Sequence, residues 1–170
     1  MTTVTPSVRP ARFPAEYGQT AETTANLFSW DEVADRIAAA RNYWLASTTE
    51  AGRPHLRPVD GVFVEATLAF GGSPETRWVQ HLERRPAASV SLPDDDFAVV
   101  LEGDAVLVTD PELPLGAAVA AANKVKYPQY FGEDPAAFQP FWALRPRRVY
   151  AWTLTGFPSR ATRFDFDHVG

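Results

Sequence analysis

The feature that most limits the fold is a run of short segments with two-residue periodicity, joined by tight turns, between residues 42 and 72. NYWLASTT is rich in aromatic and β-branched residues, EAGR is typical of a turn, and PHLRPVDGVFVE resumes extended structure. After a turn at 65–67, LAFGG forms a third strand. Parallel strands need a crossover of a dozen or more residues, so strands joined this closely run antiparallel. The segment predicts an antiparallel meander and excludes a parallel α/β core.

The remaining strands indicate a small barrel. Pro58 has no amide hydrogen to donate, which predicts a bulge or an edge position between Pro58 and Gly61. The strands predicted after them are ASVSL, FAVVLEGDAVLVTD with a bend at Gly103, RRVYAWTLT from Arg147, and ATRFDF. Six or seven mostly adjacent strands predict a closed or partly closed β-barrel, with helices at its rims.

Capping residues locate the helices. Ser29 and Glu32 have the spacing of a capping box, which predicts a helix from about 29 to 41. Another helix is predicted over about 111–126, where two lysines in the last turn complement the helix dipole.

Composition excludes several classes of function. The chain of 170 residues has no cysteine, which removes disulfide scaffolds, thiolate nucleophiles and cysteine-bound metal clusters. Its net charge of −5 has the wrong sign for general binding to nucleic acid or to an anionic membrane. No apolar run has the length of a signal peptide core or a membrane span, so we expect a cytoplasmic protein. Prolines interrupt residues 1–26, which predicts an extended arm ahead of one domain over 27–170.

The segment GGSPETRW is the most informative candidate site. Ser73 is predicted as the N-cap of a second helix, with Pro74 at its first position. The amides of a helix N-terminus attract an anion, and Arg77 in the first turn adds a charged fork suited to phosphate. The alternative is an ordinary strand-to-helix turn with a surface arginine.

His55 and Arg57 alternate along one strand and therefore share a face. They hold a planar or anionic ligand if that face borders a cleft, and have no such role if it faces solvent. The three histidines lie far apart in the sequence, so no metal site is expected. The absence of GxSxG, HExxH, Walker and GxGxxG motifs indicates that any catalysis depends on a bound cofactor.

An aromatic-rich stretch near the C-terminus also has two interpretations. Core packing explains most such clusters, and a pocket for a flat ligand or a subunit interface is the sharper alternative. Its members are Phe138, Phe141, Trp142, Tyr150 and Trp152.

The order of these segments resembles that of a known protein family. A helix, YWLAST, GRPHLRPVDGVFV, TLAFGGSPETRWVQHLERRP, ASVSL, VVLEGDA and a helix ending in KY together resemble the pyridoxamine-5′-phosphate-oxidase-like flavin-binding split-barrel family. Over about residues 28–166 the chain is similar to the actinobacterial branch that includes reductases dependent on deazaflavin coenzyme F420. The resemblance implies a mainly β fold, a six-stranded antiparallel split barrel of Greek-key type with flanking helices. It also implies a homodimer with two cofactor sites at the subunit interface.

The resemblance assigns candidate residues to FMN or coenzyme F420. The residues expected beside the ring are His55, Leu56, Arg57, Pro58 and Val59. Those expected around the ribityl chain and phosphate are Ser73, Thr76, Arg77 and Trp78. The substrate side would be bordered by Lys124 and Tyr127 as proton donors, and by Trp142 and Trp152 of the second subunit.

One departure from the family concerns the phosphate. Many members carry an arginine and, two residues later, a lysine at the phosphate end, where this chain has Thr76 and Trp78. Phosphate binding would then depend on Arg77, Ser73, helix amides and either Arg57 or Arg53.

The expected function is an oxidoreductase in which the bound cofactor passes a hydride to a small conjugated organic substrate. Two alternatives stay open. One is a non-catalytic protein that binds or stores a flavin, haem or similar planar ligand. The other is a small barrel for an apolar ligand.

Overall fold

The computed structural model describes residues 5–110, 113–131 and 140–167. The strands are β1 (Ser7–Pro10), β2 (Tyr43–Thr48), β3 (Pro54–Val59), β4 (Gly61–Val64), β5 (Thr67–Phe70), β6 (Ala87–Ser91), β7 (Phe97–Val108), β8 (Phe141–Thr153) and β9 (Thr162–Asp165). The helices are α1 (Trp30–Ala39), α2 (Arg77–Arg84), α3 (Pro114–Lys126) and α4 (Pro128–Phe131), with a 3₁₀ turn at Ala15–Tyr17. The predicted mainly β class with flanking helices is confirmed.

A circuit of antiparallel strands forms the barrel. β2 pairs with β3 and β6, β7 pairs with β6 and β8, and β5 pairs with β8 and β4. β3 and β4 are separated only by Asp60, so they close the circuit as two halves of one bent strand. Counted in this way the barrel has six strands. The interruption lies within the 58–61 stretch where the sequence predicted a bulge or edge.

The longest pairing in the barrel, β7 with β8, contains the predicted bend. Its register shifts between Glu102 and Gly103. A Cβ atom at Gly103 would overlap the carbonyl oxygen of Arg145 and approach the backbone of Pro146. Glycine is therefore required here by the close approach of two backbones.

The N-terminal segment predicted as an extended arm adds a strand outside the barrel. β1 pairs with β9, and β9 pairs with β8. The Asp165 carboxylate on β9 forms ion pairs with Arg9 of β1 at 3.0 Å and with Arg148 of β8 at 3.2 Å. These ion pairs connect the outer strand to the barrel.

The interior of the barrel and helix α1 share one apolar core. Ser29 accepts from the amide of Glu32, whose carboxylate accepts from the amide of Ser29, so the predicted capping box is confirmed. The helix ends at Ala39, close to the prediction. Its Val33 and Ile37 are fully buried together with barrel residues such as Leu45. Within the described ranges no helix combines the length and apolarity needed to cross a bilayer.

The start of α2 corrects the predicted N-cap. The helix begins at Arg77 with Thr76 at the N-cap, and neither Ser73 nor Pro74 lies within it. The amide of Thr76 donates to the Ser73 carbonyl at 2.9 Å, while the Ser73 hydroxyl accepts from the amide of Glu75 at 3.3 Å. The Ser73 side chain therefore stabilises a separate turn ahead of the helix.

Two other predicted boundaries also differ. β8 begins at Phe141, six residues before the predicted Arg147, because its first half pairs with both β5 and β7. α3 begins at Pro114 with Leu113 at its N-cap, whereas residues 111 and 112 lie outside the described ranges. Phe138, one of the predicted aromatic cluster, also lies outside them.

Candidate functional site

Strand β3 presents its polar side chains beside α2. In the β2–β3 pairing, Arg57 lies opposite Leu45 and His55 lies opposite Ser47. Leu45 and Ser47 are buried on the barrel side of β2. Paired residues share a face of the sheet, so His55 and Arg57 are directed to the same side as these two residues.

The opposite face of β3 is apolar and exposed. Pro58 pairs with Trp44, and Leu56 lies one pair further along, next to Ala46. Leu56 is 50% exposed and Trp44 is 38% exposed. Val59, the last predicted ring-side residue, is buried in the core. Of the five β3 residues proposed from the resemblance, Leu56 and Pro58 therefore lie on the face opposite to the other three.

A compact cationic cluster joins β3 to α2. The imidazole rings of His55 and His81 meet edge to face, with 5.1 Å between their centroids. Ser47 Oγ lies 3.1 Å from His81 Nδ1. Burial lowers the pKa of His55, and the electrostatic effects of the neighbouring Arg57 and His81 side chains lower this pKa further. Arg77 adds a smaller effect in the same direction, so its guanidinium also acts on this cluster.

The N-terminus of α2, where Arg77 lies, has no side-chain cap. Thr76 makes no capping hydrogen bond to the helix with its side chain, because its hydroxyl donates to the Ser73 carbonyl at 2.7 Å. The amides of the first turn therefore have no side-chain cap. Uncapped amides beside an arginine favour an anion, since both the dipole and the charge attract it.

A shallow cleft of about 470 Å³ extends from this cluster along α2 toward the β2–β3 turn. Its lining from α2 spans two turns on one helix face, since residues 77, 80, 81 and 84 recur at three- and four-residue spacing. Glu50 of the facing turn lies 3.7 Å from Arg84, an exposed ion pair of small energy. The residues lining the cleft are Thr49, Glu50, Ala51, Arg77, Gln80, His81 and Arg84.

Trp78, at the position where many family members carry a lysine, is directed into the core. It is 7% exposed and packs against Phe70, with 5.5 Å between ring centroids. A Cβ atom at Gly72 would overlap the Trp78 indole, so the Gly-Gly turn provides space for this ring. The indole therefore supports the turn from below, while Arg77 remains exposed at the surface.

The C-terminus of α3 is attached to the bend between β3 and β4. Tyr127 is 5% exposed, and its hydroxyl donates toward the Arg41 carbonyl at 2.7 Å and accepts from the Gly61 amide at 3.0 Å. Lys126 Nζ donates to the Gly61 carbonyl at 2.7 Å and to the Tyr43 hydroxyl at 2.9 Å. Lys124, the lysine proposed from the resemblance, is exposed. Lys126 is thus the lysine that joins Tyr127 in this network.

Replacement of Lys126 by methionine is expected to remove a rise in stability with pH. Burial lowers the pKa of Lys126 from 10.5 to about 8, against the opposing charge of Asp60. Between these values the unfolded chain binds more protons, so the stability of the native protein increases as pH rises. From pH 7 to 9.5 the free energy of unfolding of the wild type should increase by about 1 kcal/mol relative to that of the variant. This figure is discounted because the ammonium is half-exposed.

Urea unfolding at several pH values measures this difference. Lys124→Met is the matched control, because it removes an exposed lysine from the same turn of α3. The Lys124 variant should follow the wild-type pH dependence. Parallel pH profiles for the wild type and the Lys126 variant would contradict the assignment.

The two tryptophans proposed to border the substrate lie far apart on β8. Trp142 is 5% exposed and pairs with Phe70 and Leu107 within the barrel. Trp152 pairs with Ala98 and packs against Phe13 of the N-terminal segment, with 6.4 Å between centroids. Within one chain, the structure therefore does not bring them together with the cationic cluster.

Ser47 and His81 were not among the predicted site residues. His81 follows Arg77 by four residues, so helical periodicity was a signal for placing it on the same face. Ser47 had no comparable signal, because it lies 34 residues from His81 in the sequence and meets it only through packing of α2 on β2.

The fold defines the class: a six-stranded, mainly β barrel with flanking helices, in which a cationic cluster lies between β3 and α2. Residues 29–153 match the pyridoxamine 5′-phosphate oxidase family, and the chain belongs to this family. No protein in the curated comparison matches the sequence.

Solved structures share the fold at low sequence identity. A conserved hypothetical protein of Mycobacterium tuberculosis is 22% identical, with a TM-score of 0.64 over 79% of this chain and 89% of its own. The haem storage protein HutZ of Vibrio cholerae is 18% identical, with a TM-score of 0.56 over 69% and 89% of the two chains. A pyridoxamine 5′-phosphate oxidase-related, FMN-binding protein of Nostoc punctiforme is 19% identical, with a TM-score of 0.52 over 78% and 88%.

Proposed function

We propose that this protein is an oxidoreductase that binds FMN or the deazaflavin coenzyme F420 and reduces a small conjugated organic substrate. The observation that carries the proposal is the uncapped N-terminus of α2 beside the cluster of Arg57, His55 and Arg77. The phosphate of either cofactor is an anion of the kind that such a site binds. FMN binding by the Nostoc relative supports the same class of ligand.

The residues of this chain would divide the work of binding. Arg77 and the free amides of α2 would hold the phosphate, and Arg57 would stabilise negative charge on the ring. When bound, the reduced cofactor supplies the hydride. Tyr127 is hydrogen-bonded to backbone, and Lys126, which donates to the same Gly61, has a pKa near 8. The α3 terminus is therefore the proposed source of the proton that completes substrate reduction.

We also propose that the functional unit is a homodimer. The apolar face formed by Leu56, Pro58 and Trp44 of β3 and β2 is exposed, and it is suited to burial against a second copy of the chain. The second copy's β8, with Trp152 rather than the buried Trp142, is the proposed outer wall of each cofactor site. Light scattering of the purified protein tests this arrangement, and a monomer at micromolar concentration would contradict it.

The function is tested by binding followed by turnover. FMN and coenzyme F420 are titrated separately, and saturable quenching of cofactor fluorescence is expected for at least one of them. Protein loaded with the reduced cofactor is then mixed with a panel of conjugated acceptors. Faster reoxidation than with free reduced cofactor supports the oxidoreductase. No saturable binding of either cofactor would contradict the proposal.

One observation favours a second candidate, a non-catalytic protein that binds or stores a flavin or haem. The Tyr127 hydroxyl is occupied by backbone groups, and among the described residues no tyrosine lines the cleft. The fold is also that of the haem storage protein of Vibrio cholerae. Tight binding without acceleration toward any acceptor in the panel would favour this second candidate over the first.

A further inference from the structure

Ser47 is a buried hydroxyl whose partner is another side chain. In the described part of the chain the buried polar residues are Ser47, Thr67 and Thr162. Thr67 donates to the Glu65 carbonyl, and Thr162 donates to the Arg160 carbonyl and accepts from the Phe28 amide. Ser47 is 2% exposed, and its hydrogen-bond partner among the described residues is His81 Nδ1 at 3.1 Å. Ser47 thus places a hydroxyl at a buried barrel position, where it contacts His81, a residue that lines the cleft.

The direction of this hydrogen bond follows from the burial of Ser47. If His81 Nδ1 donated to Ser47, the serine hydroxyl hydrogen would have no acceptor among the described residues. A buried donor without a partner costs about 1–3 kcal/mol. If Ser47 donates to Nδ1, its hydrogen is satisfied and only oxygen lone pairs are unused. The second arrangement is therefore favoured while His81 is neutral.

We propose that Ser47 is a positioning residue that holds His81 as the Nε2–H tautomer, so that the groove has a neutral hydrogen-bond donor for the ligand's phosphate. His81 lines the cleft, and its Nε2 has no protein partner in the described ranges. The ligand part of this inference rests on the proposed function, whereas the tautomer part does not.

The residues around His81 are mainly cationic. From β3 it faces His55 and the charge of Arg57, and from α2 it shares a face with Arg77 and Arg84. Glu50 is the acidic residue that lines the cleft, and it is paired with Arg84. These arginines supply positive charge for a phosphate, and the Nε2–H of His81 adds a directional hydrogen bond to it.

The tautomer is measured directly in the full-length wild-type protein. Nitrogen-15 NMR of histidine-labelled protein at pH 8 distinguishes a protonated Nε2 from a protonated Nδ1. We expect His81 to be Nε2–H in wild type and in Ser47→Thr, which keeps the hydroxyl. In Ser47→Ala we expect a mixture of the two tautomers.

Ligand affinity provides the second readout, with FMN as the probe. Ser47→Ala should raise the Kd for FMN about fivefold to tenfold, and Ser47→Thr should restore affinity. Thr67→Val is the matched control, since it removes a buried hydroxyl on β5 that bonds only to backbone. It should leave both the tautomer and the Kd unchanged.

Two results would overturn the inference. One is a wild-type His81 protonated at Nδ1 when neutral. The other is a Ser47→Ala protein with the wild-type tautomer and the wild-type Kd. A wild-type protein that has the Nε2–H tautomer but binds no FMN and no coenzyme F420 would support the tautomer and contradict the proposed function.

Discussion

Gly103→Ala is expected to lower the free energy of unfolding by about 3 kcal/mol, which corresponds to roughly 6–12 °C in Tm for a chain of this size. The new Cβ atom would overlap the carbonyl oxygen of Arg145 and lie within 3.0 Å of the Pro146 Cα. Backbone in the centre of the longest strand pairing has little room to move. Relief requires β7 and β8 to separate at the register shift, with loss of neighbouring hydrogen bonds.

Thermal and urea unfolding measure this effect, with Gly71→Ala as the matched control. A Cβ atom at Gly71 meets nothing within 4 Å, and the residue is exposed in the turn before α2. The control should therefore lie within about 0.5 kcal/mol of wild type. A Gly103 variant as stable as the Gly71 variant would show that the bulge relaxes at little cost.

Arg77→Ala is expected to raise the Kd for FMN or coenzyme F420 by roughly 10- to 100-fold. The substitution removes a charged donor from the first turn of α2, where a phosphate would otherwise accept from both the guanidinium and the free amides. The Arg77 side chain is exposed and lies outside the apolar core, so stability should change little. Fluorescence titration at two salt concentrations measures the Kd. The wild type should show the steeper salt dependence, because it has the additional cation.

Arg12→Ala controls for net charge in this experiment. Arg12 is exposed on the N-terminal segment and is not among the residues that line the cleft. It should leave the Kd unchanged at either salt concentration. An Arg77 variant with wild-type affinity would place the cofactor phosphate elsewhere and would remove the main support for the groove as a flavin site.

The local sequence was sufficient for the elements whose cause is local. The Ser29–Glu32 capping box defines α1 through bonds between residues three apart, and the tight turns between residues 42 and 72 enforce antiparallel strands. Pro58 similarly marked the stretch up to Gly61 that contains the bend between β3 and β4. The family resemblance then supplied the six-stranded barrel, because the order of segments determines which strands can pair.

Local sequence signals could not predict which way a side chain points when two neighbouring residues fit the same role. Lys124 and Lys126 are two residues apart on α3 and so face nearly opposite directions. Only the packing of α3 beside Gly61 selects Lys126 for the network. Ser73 satisfied the rules for an N-cap, but its hydroxyl stabilises the preceding turn and α2 starts four residues later.

The sequence by itself determined the antiparallel barrel class and the first helix, because turns, caps and periodicity act between residues close in the chain. It also marked Arg77, His55 and Arg57 as candidates for an anion site, since charge and residue type are visible without a fold. Only the tertiary structure decided that Ser47 lies beneath His81 and that Trp78 is directed into the core. Such contacts depend on how α2 packs against β2 and the Gly-Gly turn, and no local rule encodes that packing.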